Sequence, residues 1–266
     1  MDDARTYEGY KFENGSVTKV SDPLTVEQAL EIQINGKPFT VVMQTPGSEV
    51  ELATGLLYAE DVIKVNTPVE FEILRNKAGQ IDRVNAMIPA DQIGDGYLSS
   101  RSLLSVSSCG ICGKQSLEDL PGFNASTPLK PSIYDLTVNR LKMMQETMFE
   151  SQKLFQLTGG CHGVAAYDTA GKLLTLQEDI GRHNAMDKVV GALIQQSALS
   201  KAAVICFSGR VSYEIVSKAF RARIKVIIAV SAPSSLAIDF AKEYGIQIFA
   251  FARKGKFTCY ANCPNS

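Results

Sequence analysis

The chain has 266 residues, of which 45% are hydrophobic and 21% charged, and its formal net charge is −1. This composition is typical of a globular protein, and the near-zero charge argues against general nucleic-acid binding. No apolar run reaches the roughly 18 residues that a membrane span needs. The start Met-Asp-Asp-Ala-Arg also lacks the basic and apolar parts of a secretory signal. We therefore expect a cytoplasmic protein with neither membrane nor nucleic acid as a partner.

The first part of the chain reads as a small α+β roll over residues 1–104. Residues 29–45 predict two strands around Asn35-Gly36, because both positions of a two-residue hairpin turn favour positive φ. Ser48, with Glu51 three residues later, predicts a capping box at the start of a helix. Residues 69–74 and 81–88 predict two further strands. The resulting β-β-α-β-β unit is interpreted as having a mainly structural core.

Residues 105–135 are predicted to be a loop or linker that carries Cys109-Gly110-Ile111-Cys112. The other cysteines are at positions 161, 206, 259 and 263, and without a secretory signal we expect mostly reduced thiols. The glycines beside Cys109 and Cys112 keep both sulfurs accessible, and Lys114 favours a thiolate. This close pair therefore needs a chemical or metal-binding explanation.

Four chemistries share the CxxC spacing. A thioredoxin-like redox motif follows a strand in a βαβ unit, which is not predicted here. A zinc deaminase half-site follows a His-x-Glu, whereas His162 lies downstream of the pair. A structural zinc site needs two more ligands, which Cys259 and Cys263 could supply. A persulfide carrier needs one nucleophilic thiolate on a flexible loop, and the spacing alone leaves zinc, redox and sulfur-transfer chemistry open.

Residues 136–266 are predicted to form a larger α/β domain. Residues 202–207, 226–230 and 246–251 are buried, apolar strands that alternate with helices, which indicates a parallel sheet covered on both faces. The expected fold class is therefore α/β, or α+β overall, with α/β/α layers in this second domain.

Three polar segments follow the ends of these strands. They are Ser208-Gly209-Arg210, then Ser231-Ala232-Pro233-Ser234-Ser235, and finally Phe251-Ala252-Arg253-Lys254-Gly255-Lys256. Two of them precede a helix, where backbone N–H groups favour anions, although capping by Ser212 and Ser234 is an equally simple explanation. Residues 201–256 hold ten Lys and Arg against three acids, a net +7, which leaves −8 for the rest. This distribution favours a phosphate-bearing ligand at one edge of the sheet.

A further polar string runs from Glu178 to Lys188. It reads Glu178-Asp179-Ile180-Gly181-Arg182-His183-Asn184-Ala185-Met186-Asp187-Lys188. Pairing of His183 with Asp187 across one helical turn explains part of it. His162 and His183 are the chain's two histidines, and each is either a structural hydrogen-bonding group or a site residue.

Together these stretches resemble the formate dehydrogenase accessory sulfurtransferase family, FdhD. The string from Glu178 to Lys188 is the specific match, and Gly163 departs from the alanine common in the family. The other matching pieces, in family order, are Ile34-Asn35-Gly36, Thr45-Pro46, Cys109-Gly110-Ile111-Cys112-Gly113, Thr158-Gly159-Gly160, Ser208-Gly209-Arg210, Ser231-Ala232-Pro233-Ser234 and Phe251-Ala252-Arg253.

The resemblance implies a sulfur relay. A cysteine desulfurase would load a persulfide onto Cys109, helped by Cys112. The sulfur would pass to molybdenum or tungsten in a bis(molybdopterin guanine dinucleotide) cofactor, bound as cargo and needed by the formate dehydrogenase catalytic subunit. The nucleotide segment maps onto Phe251 to Lys256, and the larger domain is similar to the cytidine deaminase fold without its zinc site. The protein is expected to hold no permanent cofactor. It is expected to form a homodimer.

For the site we expect Ser208, Gly209, Arg210, Ser231, Ser234 and His183 to hold the cofactor beside residues 251–256. The alternative from another class is a zinc-stabilised nucleotide-binding module without sulfur chemistry. A nucleoside deaminase is disfavoured by the order of its ligands.

Overall fold

The computed structural model describes residues 3–99 and 137–263. The strands in these ranges are β1 (Ala4–Glu13), β2 (Ser16–Thr25), β3 (Gln28–Ile34), β4 (Lys37–Gln44), β5 (Glu70–Arg75), β6 (Ile81–Met87), β7 (His162–Tyr167), β8 (Leu173–Asp179), β9 (Val204–Phe207), β10 (Val226–Ala229), β11 (Gln247–Arg253) and β12 (Lys256–Ala261). The α-helices are α1 (Glu49–Ala59), α2 (Gly96–Ser99), α3 (Val138–Ser151), α4 (Lys153–Thr158), α5 (Arg182–Gln195), α6 (Tyr213–Arg221) and α7 (Ser235–Tyr244), and short 3-10 turns occupy Ala90–Gln92 and Leu199–Lys201.

The chain begins with a two-stranded antiparallel hairpin, β1–β2, which the sequence analysis missed. Its turn is Asn14-Gly15, with φ of 49° and 77°. The predicted hairpin around Asn35-Gly36 is confirmed, with φ of 50° and 75° at the same two positions. The two turns carry the same sequence signal, so the first hairpin was predictable on the same grounds.

A four-stranded sheet follows, in the order β4-β3-β6-β5, with α1 after the first pair of strands. Leu30, Ile32 and Ile34 of β3 are buried at alternate positions, as expected for a strand with one face on a core. The predicted β-β-α-β-β order of elements is therefore present. The proposed boundary at residue 104 lies outside the described residues and stays a prediction.

The predicted capping box at α1 is wrong. Ser48 is the N-cap residue, but its side chain caps no helical N–H group. Its hydroxyl donates instead to Gln177 Oε1 in β8, at 2.9 Å. Glu49, rather than Glu51, accepts a bond from the Gly47 N–H at 2.9 Å. The long-range partner in β8 thus replaces the local one.

The second large sheet has six strands in the order β12-β11-β10-β9-β7-β8. Strands β9, β10 and β11 are parallel, as predicted, whereas β7, β8 and β12 are antiparallel to their neighbours. The sheet is therefore mixed. Every residue of β9 and β10 is buried, because both faces of the sheet are covered.

Helices cover both faces of this sheet, as the sequence predicted. On one face, Ile205, Phe207 and Ile227 pack in a core that includes residues of α5, α6 and α7. On the other, Val204 and Cys206 pack with Leu141, Met144 and Met148 of α3. The α/β fold class is confirmed, while the cytidine-deaminase type remains a prediction.

The two sheets are joined where α1 crosses α5. A Cβ on Gly55 would lie 1.9 Å from the Asp187 carbonyl oxygen, and one on Gly191 would lie 1.9 Å from the Glu51 carbonyl oxygen. The helix backbones are therefore in direct contact, and only glycine fits at these two positions.

Among the helices that the structure describes, none is both long and apolar enough to cross a membrane.

Candidate functional site

One margin of the six-stranded sheet is called here the binding edge. It holds the carboxyl ends of β8, β9, β10 and β11 and the start of β7. The Val211 N–H donates to the Ala232 carbonyl oxygen at 3.1 Å, and the Ser234 N–H donates to the Val211 carbonyl oxygen at 2.9 Å. The Phe251 N–H reaches the Ser231 carbonyl oxygen at 3.4 Å. The structure thus brings the three predicted segments side by side.

The serines on these segments have different roles. Ser234 is exposed and caps α7, since its side chain accepts a bond from the Ala237 N–H at 3.2 Å. Ser212 is the N-cap residue of α6, but its side chain makes no capping bond. Ser208 is half-buried, and its hydroxyl accepts the Gly163 N–H at 2.9 Å. The simple capping explanation therefore holds for Ser234 and is wrong for Ser212.

The basic segment from Phe251 to Lys256 forms a tight hairpin between β11 and β12. Lys254 and Gly255 are its turn residues, with φ of 53° and 71°. Phe251 also has a positive φ, 53°, although its ring is 46% exposed, and it lies at a bulge in the pairing of the two strands. An aromatic residue in this backbone region is uncommon and often marks a functional site.

The side chains of this hairpin point in different directions. Arg253, Lys254 and Lys256 are exposed, so their charges are available to a ligand. Ala252 is fully buried in the core under α3, so only its backbone could contribute to a site. Gly255 lies near Lys142 of α3, because a Cβ placed on it would be 3.6 Å from Lys142 Cδ.

His183 lies in the first turn of α5 and is 7% exposed. Its Nε2 is 3.2 Å from Glu214 Oε2 and 3.3 Å from the Ser212 hydroxyl oxygen. Burial raises the pKa of Glu214 to about 7, against a smaller lowering by Lys218. Asp187, the partner predicted for His183, binds Lys218 Nζ at 2.5 Å.

Much of the string from Glu178 to Lys188 stabilises the fold beneath the binding edge. Lys188 Nζ lies 2.7 Å from Asp179 Oδ2, and the side chains of both are almost completely buried. Asp179 also accepts the Thr45 N–H at 3.0 Å. Glu178 accepts the N–H groups of Leu154 and Phe155 at the start of α4. The Asp179 and Glu178 carboxylates therefore form an ion pair and hydrogen bonds within the fold.

The sequence analysis missed Glu214 at the binding edge, whereas Arg182 belongs to the string from Glu178 to Lys188 that it singled out. Arg182 follows β8 at the start of α5, and its Nε is buried without a hydrogen-bond partner. It lies beside His162, which begins β7, and beside Gly209. Burial, followed by the charge of Arg182, lowers the pKa of the His162 ring. Arg182 begins α5 three residues after β8 ends.

Cys109 and Cys112, the predicted reactive pair, lie outside the described residues, as does the linker 105–135. Cys259 and Cys263, expected as free thiols or zinc ligands, form a disulfide with a Cα–Cα distance of 5.7 Å. The chain turns back at Asn262, where φ is 48°, and this brings the two sulfurs together. No group of three or more His, Cys, Asp and Glu side chains within the described ranges is arranged to hold a metal ion. Bonded to each other, Cys259 and Cys263 are not available as the zinc ligands that the alternative interpretation required.

The fold and this edge together define an α/β protein with a basic, glycine- and serine-lined margin suited to an anionic ligand. The FdhD/NarQ family model matches residues 25–265, and the chain belongs to this family.

Two relatives share this assignment. One is the sulfur carrier protein FdhD of Streptomyces coelicolor, 37% identical over 261 residues that cover 94% of this chain and 91% of the relative. Another is the sulfur carrier protein FdhD of Sulfolobus acidocaldarius, 34% identical over 254 residues that cover 95% of this chain and 94% of the relative.

A solved structure shares the fold. The crystal structure of a protein from Desulfotalea psychrophila, described as a formate dehydrogenase accessory protein, has a TM-score of 0.75 to this chain. The match covers 98% of each chain at 23% sequence identity. At this identity the likeness shows the fold alone.

Proposed function

We propose that this protein carries sulfur as a persulfide on Cys109, helped by Cys112, and delivers it to a bis(molybdopterin guanine dinucleotide) cofactor of molybdenum or tungsten. The sulfur donor would be a cysteine desulfurase, and the user of the cofactor would be the catalytic subunit of formate dehydrogenase. Two copies of the chain would form the working unit. Relatives that are sulfur carrier proteins support the general role.

The observation that carries this proposal is the state of the four described cysteines. Cys161 and Cys206 are buried, and burial raises the pKa of both thiols far above neutrality. Cys259 and Cys263 are bonded to each other. Since the thiolate is the nucleophile, none of these four is suited to accept sulfur. Cys109 and Cys112 are the two that remain of the six.

The proposed transfer balances in atoms and electrons. The Cys109 thiolate attacks the outer sulfur of the desulfurase persulfide. This sulfur is transferred to Cys109, which then carries a persulfide, Cys109–S–S⁻, and the desulfurase cysteine leaves as a thiolate. The Cys112 thiolate then attacks the Cys109 sulfur of the protonated persulfide. A Cys109–Cys112 disulfide forms, and the outer sulfur leaves as hydrosulfide towards the metal. A cellular dithiol reductant restores the two thiols.

The binding edge would hold the cofactor's nucleotide and phosphate groups. Arg253, Lys254 and Lys256 supply exposed positive charge at one end. Beside it, the segment from Ser208 to Arg210 contributes the exposed Arg210, and the start of α7 contributes helix N–H groups. The four phosphates of a bis(guanine dinucleotide) cofactor are negative, and the net charge of +7 on residues 201–256 would attract them.

The carrier step is tested by mass spectrometry. The protein is incubated with a cysteine desulfurase and cysteine, digested without reductant and analysed by peptide mass. One added sulfur on the peptide that contains Cys109 and Cys112 is expected, and Cys109→Ala should remove it. Cys206→Ala serves as the control and should keep it. Sulfur found on another cysteine, or none at all, would rule the carrier assignment out.

The nucleotide role of the binding edge is tested by thermal unfolding with GDP. Ligand at about 100 times its dissociation constant should add roughly 2.7 kcal/mol to the free energy of unfolding. Arg253→Gln should reduce this gain, and Lys172→Gln, exposed on the loop before β8, should not. An unchanged melting temperature in saturating GDP would contradict a nucleotide site.

A further inference from the structure

The hairpin β1–β2 is a sheet of only two strands. Among the described strands, β1 pairs with β2 alone, and most of its residues are exposed. An isolated two-stranded hairpin is at best marginally stable in water, whereas three or more strands with a hydrophobic face can be stable. The hairpin nevertheless carries five exposed large hydrophobic side chains, those of Tyr7, Tyr10, Phe12, Val17 and Leu24. Single exposed hydrophobic residues are common, but five on one hairpin indicate a surface that another chain covers.

The outer edge of β1 offers its backbone to a further strand. Glu13 and Ser16 flank the two-residue turn, so they form a hydrogen-bonded pair, and such pairs alternate along an antiparallel ladder. The even-numbered residues of β1 therefore direct their N–H and C=O groups away from β2. Pro23, which has no N–H group, lies opposite Thr6 in β2 and fits this alternation, because no bond to β1 is due there.

The two edges of the hairpin differ in how well they are protected. The outer edge of β2 carries Pro23, and its last residue, Thr25, hydrogen-bonds to Thr158 of α4 at 2.7 Å. Strand β1 contains no proline, and its register with β2 runs without a bulge from Ala4 to Glu13. Proline and bulges are the usual means of blocking an edge, so β1 is the edge open to pairing.

From this arrangement we propose that β1 pairs antiparallel with β1 of a second copy of the chain. The product is a continuous four-stranded sheet, in the order β2-β1-β1-β2, that joins the two halves of a homodimer. The inference rests on the homodimer of the proposed function and names its surface, but it requires none of the sulfur chemistry. Because the strands are antiparallel, the rest of each copy lies at an opposite end of the shared sheet.

Symmetry limits the register of this pairing. The two-fold axis is perpendicular to the sheet and keeps each residue on its own face, so the register is centred on a single residue. Centred on Gly9, it places Arg5 opposite Glu13 of the second copy, and this pair of opposite charges occurs twice. The even-numbered residues then exchange the backbone bonds that β2 leaves free. A methyl group at position 9 would also fit, because it would point to a face of the sheet.

The neighbouring registers are less favourable in charge. Centred on Glu8, the pairing would place the two Glu8 carboxylates opposite each other and Lys11 opposite Arg5. Centred on Tyr10, it would leave Arg5 opposite the turn and Glu13 opposite an uncharged tyrosine. Like charges directly opposite each other destabilise a sheet, and unlike charges stabilise it. The Gly9 register also brings the two exposed Tyr10 rings diagonally across the axis, within reach of each other.

Proline variants test the edge directly in the full-length protein. Glu8→Pro removes an outward N–H group from the middle of β1 and should make the protein monomeric at concentrations where the wild type is a dimer. Ser21→Pro, at the position opposite Glu8 on the outer edge of β2, is the matched control and should remain a dimer. Sedimentation velocity over a range of concentrations measures the state, and circular dichroism verifies that both variants fold.

A charge swap tests the register. Arg5→Glu turns two attractive pairs into two repulsive ones and should raise the dimer dissociation constant roughly tenfold. Adding Glu13→Arg to that variant restores the opposite charges and should recover most of the loss. Lys77→Glu, an exposed charge reversal in the turn between β5 and β6, is the control and should leave the dissociation constant unchanged.

The possible failures are distinguishable. A monomeric wild type would overturn both the strand pairing and the homodimer, and it is the result expected if the hairpin binds a different protein instead. A dimer that persists in Glu8→Pro would overturn the pairing and leave the homodimer to another surface. No recovery in the double variant would overturn the Gly9 register. Loading of sulfur on Cys109 is measured separately by peptide mass, so its failure would leave these results unchanged.

Discussion

Lys188 places a positive charge where its side chain is only 1% exposed, against Asp179 at 0%. The pair is stabilised further by the Thr45 carbonyl oxygen, which accepts from Lys188 Nζ at 2.5 Å. Lys188→Met would leave the Asp179 carboxylate buried without its counter-charge. We expect the free energy of unfolding to fall by about 3–5 kcal/mol, measured by urea denaturation. Lys172→Met, at an exposed position, is the control and should change it little.

Glu214 makes the stability of the protein depend on pH. Its pKa is raised from 4.5 to about 7, chiefly by burial and by Asp187 and Glu60, while Lys218 and Arg182 lower it. The folded state therefore keeps a proton that the unfolded chain releases, and stability falls as the pH rises from about 4.5 to about 7. Glu214→Gln should remove this loss, so its stability relative to the wild type should improve across that window.

Urea titrations at several pH values measure this difference. Glu243→Gln, on the exposed side of α7, is the control and should follow the wild type. Comparing Glu214 with Glu214→Gln again in a His183→Gln background separates the contribution of the histidine, which contacts Glu214. A constant difference between Glu214→Gln and the wild type at every pH would contradict the buried carboxyl as the cause.

At single residues, the partners of a side chain were harder to predict from the sequence than the element in which it lies. The string from Glu178 to Lys188 was singled out as a candidate for the site, yet Asp179 and Lys188 bind each other in the interior. Asp187 was paired with His183 because the two are one helical turn apart. Its partner, Lys218, is 31 residues away, and no local pattern in the sequence indicates that contact.

Among the elements, α1 and α5 make the closest approach, at Gly55 and Gly191. Alanine favours a helix over glycine by about 1 kcal/mol, so Gly191→Ala would stabilise an isolated α5. In the protein the new Cβ would overlap the Glu51 carbonyl oxygen, so we expect a net loss of about 1–3 kcal/mol or more in unfolding free energy. Gly9→Ala, whose Cβ would meet nothing nearer than 3.8 Å, is the control in thermal unfolding.

Element prediction succeeded where the signal was local. Asn35-Gly36 fixed one hairpin, and continuous apolar runs located β9 and β10. The antiparallel placement of β7 beside β9 could not be predicted, because it depends on pairing between residues about 40 positions apart, such as Val164 and Phe207. The return strand β12 was missed: its first residue, Lys256, was assigned to the basic segment, and no strand was predicted over the rest.

At the scale of the whole molecule, the two sheets are tied by bonds that cross between the halves of the chain. The Asn184 amide donates to the Met43 carbonyl oxygen at 2.7 Å, and the Tyr58 hydroxyl donates to the Arg221 carbonyl oxygen at 2.7 Å. With the α1–α5 contact, these bonds make separate unfolding of either sheet costly. We expect one cooperative transition in urea.

Two probes test this cooperativity. Tyrosine fluorescence and far-ultraviolet circular dichroism should give coincident urea curves, and the chain contains no tryptophan to complicate the first. The two curves of the wild type should coincide at more than one pH. Curves with separate midpoints would show that the two sheets unfold independently.

The contact between Gly55 and Gly191 also limits how the family can diverge. Each glycine faces the backbone of the other helix, so neither position can gain a side chain unless both helices move apart. A relative with a larger residue at one of these positions must therefore carry compensating changes in the opposite half of its sequence. Variation at positions 55 and 191 is thus expected to be coupled across more than a hundred residues of chain.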